Sequence, residues 1–354
     1  MIKFEICKVS KEFYLMKNTF KVVILLIIYF FSNQSILASE INIYSHRQPF
    51  LINPFLDAFT QETGIKTNIV YSTKGLAQRL RAEGENSPAD VILTVDIGRL
   101  YIYEDLGLLA QIKSPILDLA IPKHLKSENN TWFGLSKRSR IIATSKDRVS
   151  KDAILRVEDL ADPKWKGKIC SRPGSHVYNR ALMASVIAEH GLEKAEIWAK
   201  GLVSNFARRP QGNDRAQVKA IYEGLCDIAL INNYYFGKLK YSEDPIQREW
   251  AASMRLTFPN QGENDRGAHI NISGGGVAKY SKREGNAIKL LEFLSSAQAQ
   301  RLYSEINFEY PVNPKVSPSD ELNSWGSFRE DKVSIEKIAE LSREAQKIID
   351  RVGW

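Results

Sequence analysis

The sequence predicts an α/β fold built from two lobes. Short apolar strands alternate with capped helices from about residue 40, and the same order returns after residue 167. We find no internal repeat, low-complexity segment or long linker in the sequence, so strand crossovers are expected to join the lobes. With 354 residues, 44% hydrophobic and 25% charged, the chain suits one large or two medium globular domains.

Each element is predicted from apolar spacing and from residues that begin or end helices. Asn53 and Pro54 suit the start of a helix, and Gly64 suits its end. The run ADVILTV at 89–95 is apolar enough for a strand covered on both faces. Strands are predicted at 41–44, 65–71, 89–95, 140–145, 167–171, 227–232 and 269–278, and helices at 53–64, 75–83, 179–190, 192–203, 214–224, 284–304 (one broken or two successive) and 334–351 (amphipathic).

Residues 1–38 have the pattern of a secretory signal peptide. An unbroken apolar run, VVILLIIYFF, follows a lysine-bearing stretch and precedes SILASE, which predicts cleavage after Ala38. The run has roughly ten residues and a bilayer needs about twenty, so a membrane anchor is the weaker interpretation. Met16 is an alternative start for the chain. No cysteine stands directly after the run, which argues against a lipoprotein and favours free diffusion in the periplasm.

The charge balance does not indicate a nucleic-acid partner. Residues 1–38 carry five Lys and two Glu, so their removal leaves 44 basic and 39 acidic side chains, a net charge near +5. Both signs are scattered along the chain, whereas nucleic-acid binding favours a basic stripe with interleaved aromatics. A solvated, mildly basic surface is expected.

Two of the three cysteines, Cys170 and Cys226, remain after the predicted cleavage. An even number in an exported chain favours one disulfide, which would stabilise the fold by about 4 kcal/mol on the chain-entropy model. Two buried free thiols are the alternative.

Chemically useful side chains collect where the predicted strands end. In open parallel sheets, ligands sit off the carboxyl ends of the strands. The side chains expected there are Ser45, His46, Arg47, Gln48, Asp96, Tyr178, Asn233, Tyr234 and Tyr235.

The tyrosines suggest a ferric-ion site, because the hard anionic oxygen of a phenolate suits a hard cation. Three phenolates, from Tyr178, Tyr234 and Tyr235, would neutralise one Fe³⁺. A free phenol has a pKa of about 10, so the metal has to displace the protons, and its affinity should fall as the pH falls. The alternative is packing, because adjacent side chains on a strand point to opposite faces. Both members of the pair can face one metal only if the backbone leaves strand geometry there.

A small oxyanion such as carbonate would complete the coordination and would need cationic donors. Arg47 or Arg138, together with Gln48, can supply them in the fork geometry of arginine. The default alternative for both arginines is a surface or ion-pair role in a chain with 49 basic residues. By default His46 is structural or exposed, and Asp96 is a helix cap.

Segments along the whole mature chain match one known family in order. They are YSHRQPFLI from Tyr44, SPADVILTVD from Ser87, WFGL from Trp132, TSKDRV from Thr144, PQGNDR from Pro210, NNYYFGKL from Asn232, NISG from Asn271 and YPV from Tyr310. Together they resemble the ferric-iron-binding periplasmic proteins, a group of the type II periplasmic-binding superfamily sometimes called bacterial transferrins.

The resemblance implies a two-lobed type II periplasmic-binding α/β fold with a ligand cleft between the lobes. Lobe 1 would comprise 39–137 plus about 270–315, lobe 2 would comprise 138–269, and the helical segment 316–354 would pack across them. Such proteins capture Fe³⁺ and deliver it to the permease of an ABC importer in the inner membrane, and nothing in the resemblance implies catalysis. We expect a monomer.

The family's ferric-binding tyrosines fall on Tyr178, Tyr234 and Tyr235 of this chain. The resemblance also strengthens the disulfide, because Cys170 and Cys226 fall where family members carry a cysteine pair.

The opening motif departs from part of the family. Some members place a histidine and a tyrosine ligand directly after its arginine, where this chain has Gln48 and Pro49. That difference implies the subgroup in which carbonate lies beside a first-lobe Arg-Gln pair and a further arginine, here Arg47, Gln48 and Arg138. His46 stands where that subgroup is expected to carry a tyrosine. We expect His46 to line the site or to hydrogen-bond to a metal ligand, rather than to bind the metal itself.

Two other functions stay open. A type II binding protein for another small oxyanion or organic ligand would use the arginines but would not need three tyrosines. An enzyme has little support, because the sequence has no serine elbow motif, no glycine-rich phosphate loop and no Cys/His metal spacing.

Overall fold

The computed structural model describes residues 39–354, and the predicted signal peptide at 1–38 lies outside the described residues. The strands are β1 (Glu40–Ser45), β2 (Lys66–Tyr71), β3 (Val91–Thr94), β4 (Phe133–Ser145), β5 (Ile169–Cys170), β6 (Ile228–Asn232), β7 (Met254–Thr257) and β8 (Ile270–Val277). The α-helices are α1 (Pro49–Thr63), α2 (Leu76–Glu83), α3 (Ile97–Asp105), α4 (Pro115–Ala120), α5 (Val177–Ser204), α6 (Asp214–Tyr222), α7 (Asn233–Lys240), α8 (Pro245–Ser253), α9 (Glu284–Ser295), α10 (Ala297–Ile306), α11 (Asp320–Ser324), α12 (Ile335–Glu340) and α13 (Ser342–Val352). In this range, we find no helix with the length and apolar character needed to cross a membrane.

A mixed sheet runs through the described chain in the order β2-β1-β3-β8-β4-β6-β5, and β7 also pairs with β4. β1 pairs in parallel with β2 and with β3, so β1, α1 and β2 form a βαβ unit. β4 changes partners along its length: residues 133–139 pair with β8, and residues 140–145 pair with β6 and β7. β4 is therefore a crossover strand of the kind that the sequence predicts.

β4 is longer than the predicted strand at 140–145, because it has 13 residues and begins at Phe133. Lys137, Arg138 and Arg140 interrupt the apolar pattern that would have extended the prediction. The two arginines are nevertheless buried, with about 2% of each exposed. Buried charges of this kind are held by acidic or polar partners, which apolar spacing does not reveal.

Helix boundaries correct the sequence prediction at two places. α1 begins at Pro49 rather than at 53–54, and Pro54 lies inside the helix; a proline suits either first turn, and buried Ile52 shows that the earlier turn packs on the core. The amphipathic tail at 334–351 is two successive helices, α12 and α13, with Leu341 between them. The predicted break between 179–190 and 192–203 is confirmed, since Gly191 adopts a φ of 78° within α5.

The Cys170–Cys226 disulfide is present and confirms the predicted pairing. It lies in a small apolar cluster together with Ile141, Ala143 and Ile231. The bond ties the end of β5 to the turn that enters β6. These two strands lead into the helices that carry the predicted tyrosines. The disulfide therefore fixes the chain that precedes each of these helices.

The last residue of the chain supports the loop between β5 and α5. Trp354 Nε1 donates to Ser171 Oγ at 2.9 Å, and Gly174 N donates to the Trp354 carbonyl at 3.0 Å. A Cβ atom on Gly174 would lie 2.6 Å from the Trp354 ring, so only glycine fits this close approach. The loop therefore enters α5 with a fixed path.

Candidate metal centre

Three tyrosines meet at the beginnings of two helices. Tyr178 lies in the first turn of α5, and the backbone leaves strand geometry at Asn233, where α7 begins directly after β6. Tyr234 and Tyr235 are therefore neighbours on a helical turn, not on a strand, and their ring centroids lie 4.5 Å apart. On a strand the two side chains would point to opposite faces, but on this helical turn both line the same cavity.

Two of the phenol oxygens lie at the spacing of neighbouring metal ligands. Tyr234 Oη donates to Tyr178 Oη at 3.0 Å, and Asn232 Nδ2 donates to Tyr234 Oη at 3.3 Å. Two oxygen ligands about 2.1 Å from a small octahedral cation lie about 3 Å apart. Within residues 39–354, no cluster of three or more His, Cys, Asp or Glu side chains is arranged to hold a metal.

Burial keeps two of the phenols protonated at neutral pH. It raises the pKa of Tyr234 well above its ordinary value, and the neighbouring Tyr178 and Tyr235 raise that pKa further. Burial, followed by the nearby Asp214 carboxylate, raises the pKa of Tyr235 to about 12. A cation that binds these oxygens has to displace both protons.

Arginines surround the ring of Tyr178. The guanidinium carbons of Arg172, Arg138 and Arg140 lie 5.1, 5.4 and 6.0 Å from its centroid. Asp214 holds two of these arginines, because its carboxylate accepts from Arg140 at 2.5 Å and from Arg172 at 3.0 Å. The cluster can offset the negative charge of ionised tyrosines.

Sequence reasoning missed the roles of Arg140, Arg172 and Asp214. Arg172 stands two residues after the end of β5 and directly after the predicted strand at 167–171, so the carboxyl-end rule that selected Tyr178 applies to it as well. Asp214 lies in the first turn of α6, where a carboxylate is usually a helix cap or is solvated. Nothing in the local sequence indicates that it is buried and paired with two arginines.

Arg47 and Arg138 line the cavity and carry donors without partners. Arg47 Nη2 donates to Glu309 Oε1, and Arg138 Nη2 donates to the Val95 carbonyl. Among the described residues, Arg47 Nε, Arg47 Nη1 and Arg138 Nη1 are buried without a hydrogen-bond partner. An unsatisfied buried cationic donor is costly, so an anion that reaches these atoms gains free energy. Gln48 is exposed and lines the same cavity.

His46 lines the cavity with both ring nitrogens already bonded. Nδ1 lies 2.8 Å from the Ser72 carbonyl and must donate to it, so Nε2 accepts from the hydroxyl of Tyr103 at 2.9 Å. Burial and then the nearby Arg99 lower the pKa of His46 to about 4, so the ring is neutral at pH 7. Asp96 caps α3 by accepting from Arg99 N at 3.3 Å, as its default interpretation predicts.

The cavity has a volume of about 290 Å³ and is rich in positive charge. It brings together all seven predicted site residues: Tyr178, Tyr234, Tyr235, Arg47, Gln48, Arg138 and His46. Its lining also includes side chains that sequence reasoning did not select, among them Arg99, Arg172, His176, Arg215, Lys238 and Glu309. Six basic residues and one acidic residue therefore line it, so the empty cavity attracts anions.

The fold and this cavity define a two-lobed α/β binding protein with phenol and guanidinium groups in its cleft. The chain belongs to the bacterial extracellular solute-binding proteins, whose family model matches residues 55–330. It is 43% identical to iron uptake protein A1 of Synechocystis over 316 residues, which span 89% of this chain and 87% of that protein.

Solved structures agree with this assignment. An apo ferric ion-binding protein A of Pasteurella haemolytica has a TM-score of 0.84 and 46% identity, covering 89% of this chain and 98% of that one. A Trichodesmium protein solved in complex with iron and citrate ligands has the same score and identity, covering 89% and 100%. The predicted two-lobed fold and the resemblance to ferric-iron-binding periplasmic proteins are confirmed.

Proposed function

We propose that this protein captures Fe³⁺ in the cavity and delivers it to an ABC importer. Tyr178, Tyr234 and Tyr235 bind the ion as phenolates, and three phenolate charges neutralise the three charges of Fe³⁺. The observation that carries the proposal is the meeting of the three phenols at two helix starts, with Tyr234 Oη and Tyr178 Oη 3.0 Å apart. The names of two relatives, iron uptake protein A1 and ferric ion-binding protein A, support the same cargo.

A synergistic anion completes the site beside the tyrosines. Arg47 and Arg138 hold it with their unpartnered donors, and Gln48 donates from the edge of the cavity. Carbonate is the proposed anion because it offers several oxygens in a small volume. Citrate is the competing candidate, since the Trichodesmium relative was solved with iron and citrate.

The setting proposed for this function is the periplasm. Removal of residues 1–38 releases a monomer whose lobes, 39–137 plus about 270–315 and 138–269, close around the ion, while 316–354 packs across them. Closure requires ligand contacts that differ between the open and closed states, and the phenolates together with the arginine-held anion are proposed to provide them. The closed protein then docks on the permease in the inner membrane.

The test is to add Fe³⁺, supplied from a weak chelator, to purified residues 39–354 with bicarbonate, with citrate, and with neither. Phenolate-to-iron charge transfer should colour the protein, and Tyr178→Phe should remove most of the band. Tyr241→Phe is the matched control, because this phenol is 59% exposed and lies outside the cavity lining. A colourless wild type without measurable ferric affinity in all three conditions would refute the proposal.

A second candidate is a binding protein for a small oxyanion or organic ligand without iron. The cationic lining favours it, because six basic residues and only one carboxylate, Glu309, line the cavity. Thermal-shift measurements with phosphate, citrate and bicarbonate on iron-free protein distinguish the two. A large shift with one anion alone, together with no ferric band, would select the second candidate.

A further inference from the structure

Glu309 is a buried carboxylate that the proposed function does not use. It lies after α10, with 6% of its surface exposed, and is the only carboxylate among the described residues that line the cavity. Its Oε1 accepts from Arg47 Nη2, while its Oε2 accepts from Ser136 Oγ and, at 3.4 Å, from Ser273 Oγ. Both oxygens are thus held by donors from β1, β4 and β8 or the residues next to them.

The backbone beside Glu309 is held in a conformation that a non-glycine residue rarely adopts. Phe308 has a φ of 55°, which costs free energy and persists only where the surroundings fix it. Asn233 Nδ2 donates to the Phe308 carbonyl at 3.1 Å, and a Cβ on Gly237 would lie 2.4 Å from the Phe308 ring. The start of the tyrosine-bearing α7 therefore sets where the carboxylate lies.

We propose that Glu309 is an internal counter-anion that competes with the bound anion for Arg47 and so limits the anion affinity of the site. This inference rests on the proposed anion-assisted capture of Fe³⁺. Arg47 is 2% exposed and carries one positive charge for two negative groups, the fixed carboxylate and the exogenous anion.

The geometry indicates that Glu309 competes with the bound anion for Arg47 and does not merely hold the arginine in place. Glu309 takes only the Nη2 donor of Arg47 and leaves Nε and Nη1 unpartnered, so the guanidinium is shared and not saturated. Two negative groups in one poorly solvated cavity repel each other, and the repulsion is larger there than in water. A weaker hold on the anion has a use, because the importer has to recover the iron when the cleft opens.

The decisive variant is Glu309→Gln, which keeps the shape and an acceptor oxygen for Arg47 but removes the charge. At fixed Fe³⁺, the bicarbonate concentration that gives half of the ferric charge-transfer band should fall on the order of tenfold. Glu309→Asp keeps the charge but draws it back from Arg47, so it should shift the half-saturation in the same direction by a smaller factor. This second variant carries the test if the Gln variant fails to fold.

The matched control is Asp331→Asn. Asp331 is a buried carboxylate that accepts from a buried arginine, Arg266, at 2.8 Å and lies outside the cavity lining. It should leave the bicarbonate half-saturation unchanged even where it lowers the melting temperature, which separates loss of a buried ion pair from loss of competition.

The outcomes separate this inference from the function on which it rests. Unchanged or weaker bicarbonate dependence in both Glu309 variants, with a responsive wild type, would overturn the inference alone and make Glu309 an anchor of Arg47. A wild type without a ferric band would overturn the proposed function and this inference together. A lower bicarbonate half-saturation that occurs in the Glu309 variants and not in Asp331→Asn would support the inference.

Discussion

The two walls of the cavity prepare for their ligands in opposite ways. On the tyrosine wall, formed by Tyr178, Tyr234 and Tyr235, two phenols stay uncharged at neutral pH, because burial raises the pKa of Tyr235 to about 12 and that of Tyr234 well above its ordinary value. The arginine wall, Arg47 and Arg138, is charged in advance and has buried donors without partners among the described residues.

The two groups of side chains therefore avoid uncompensated charge in different ways before a ligand binds. Phenolates so close together would repel each other without a cation, so in our proposal Tyr234 and Tyr235 keep their protons until the metal displaces them. The guanidinium groups cannot discharge in this way, because arginine stays protonated at any physiological pH. The arginine wall is therefore stabilised by a fixed carboxylate, a carbonyl and, in our proposal, an exchangeable anion.

The largest expected effect comes from breaking the tyrosine wall. Tyr235→Phe removes one of three ligands and one of three neutralising charges, so ferric affinity should fall on the order of 1,000-fold, beyond the roughly 10–100-fold typical of outer-shell losses. Chelator competition followed through the charge-transfer band measures it. Tyr222→Phe, a phenol bonded to Glu249 outside the cavity lining, is the control. A loss of tenfold or less would remove Tyr235 from the ligand set.

The next effect is the pH dependence of ferric binding. The pKa values of Tyr234 and Tyr235 are raised, so both are protonated between pH 6 and 8 and each releases a proton when iron binds. Affinity should therefore fall about tenfold per proton, or about 100-fold for these two residues, for each unit that the pH falls. Chelator competition at constant free Fe³⁺ and constant carbonate measures the slope.

The same measurement on Tyr235→Phe sharpens the result. With one fewer proton to release, its slope should be smaller by about tenfold per pH unit. An equal slope in wild type and variant would mean that Tyr235 binds no iron as a phenolate.

A smaller effect is expected on the arginine wall. Arg138→Met removes a donor to the anion and a cation 5.4 Å from the Tyr178 ring centroid. The bicarbonate concentration for half of the ferric band should rise about 10–100-fold, while the band position stays the same because the phenolates remain. Arg283→Met is the control, since this arginine pairs with Glu40 and Asp90. A changed band position would mean that Arg138 acts on the metal ligands themselves.

The residues of the site also differ in how far the sequence predicts them. Tyr178, Arg47 and Gln48 follow predicted strands, so the rule for carboxyl ends is enough to place them near one another. The predicted strand at 227–232 ends just before Asn233, as β6 does, but no helix is predicted to follow it. The meeting of Tyr234 with Tyr235 depends on α7 beginning directly at Asn233.

Glu309 shows the other limit of prediction. Its partners Arg47 and Ser136 lie 262 and 173 residues away in the sequence, and its place depends on the left-handed backbone at Phe308. Periodicity and capping rules describe near neighbours, whereas a contact over such a distance is set by the sheet order. Family resemblance strengthened the ferric ligand hypothesis drawn from the tyrosines, but it carried no assignment for this carboxylate.

The smallest expected effect concerns His46, which lies beside Arg47 in the cavity lining. Its substitution tests whether this residue belongs to the metal ligands. Because Nδ1 donates to Ser72 and Nε2 accepts from Tyr103, the ring has no free lone pair for a metal. His46→Gln should therefore change ferric affinity by less than about threefold, and lose about 1–2 kcal/mol of unfolding free energy where the amide fails to satisfy both partners. Ferric titration and chemical denaturation of the same variant separate these quantities. A ferric loss of about 100-fold with unchanged stability would make His46 a ligand, which requires Nε2 to leave the Tyr103 hydroxyl when iron binds, while Nδ1 can keep its bond to Ser72.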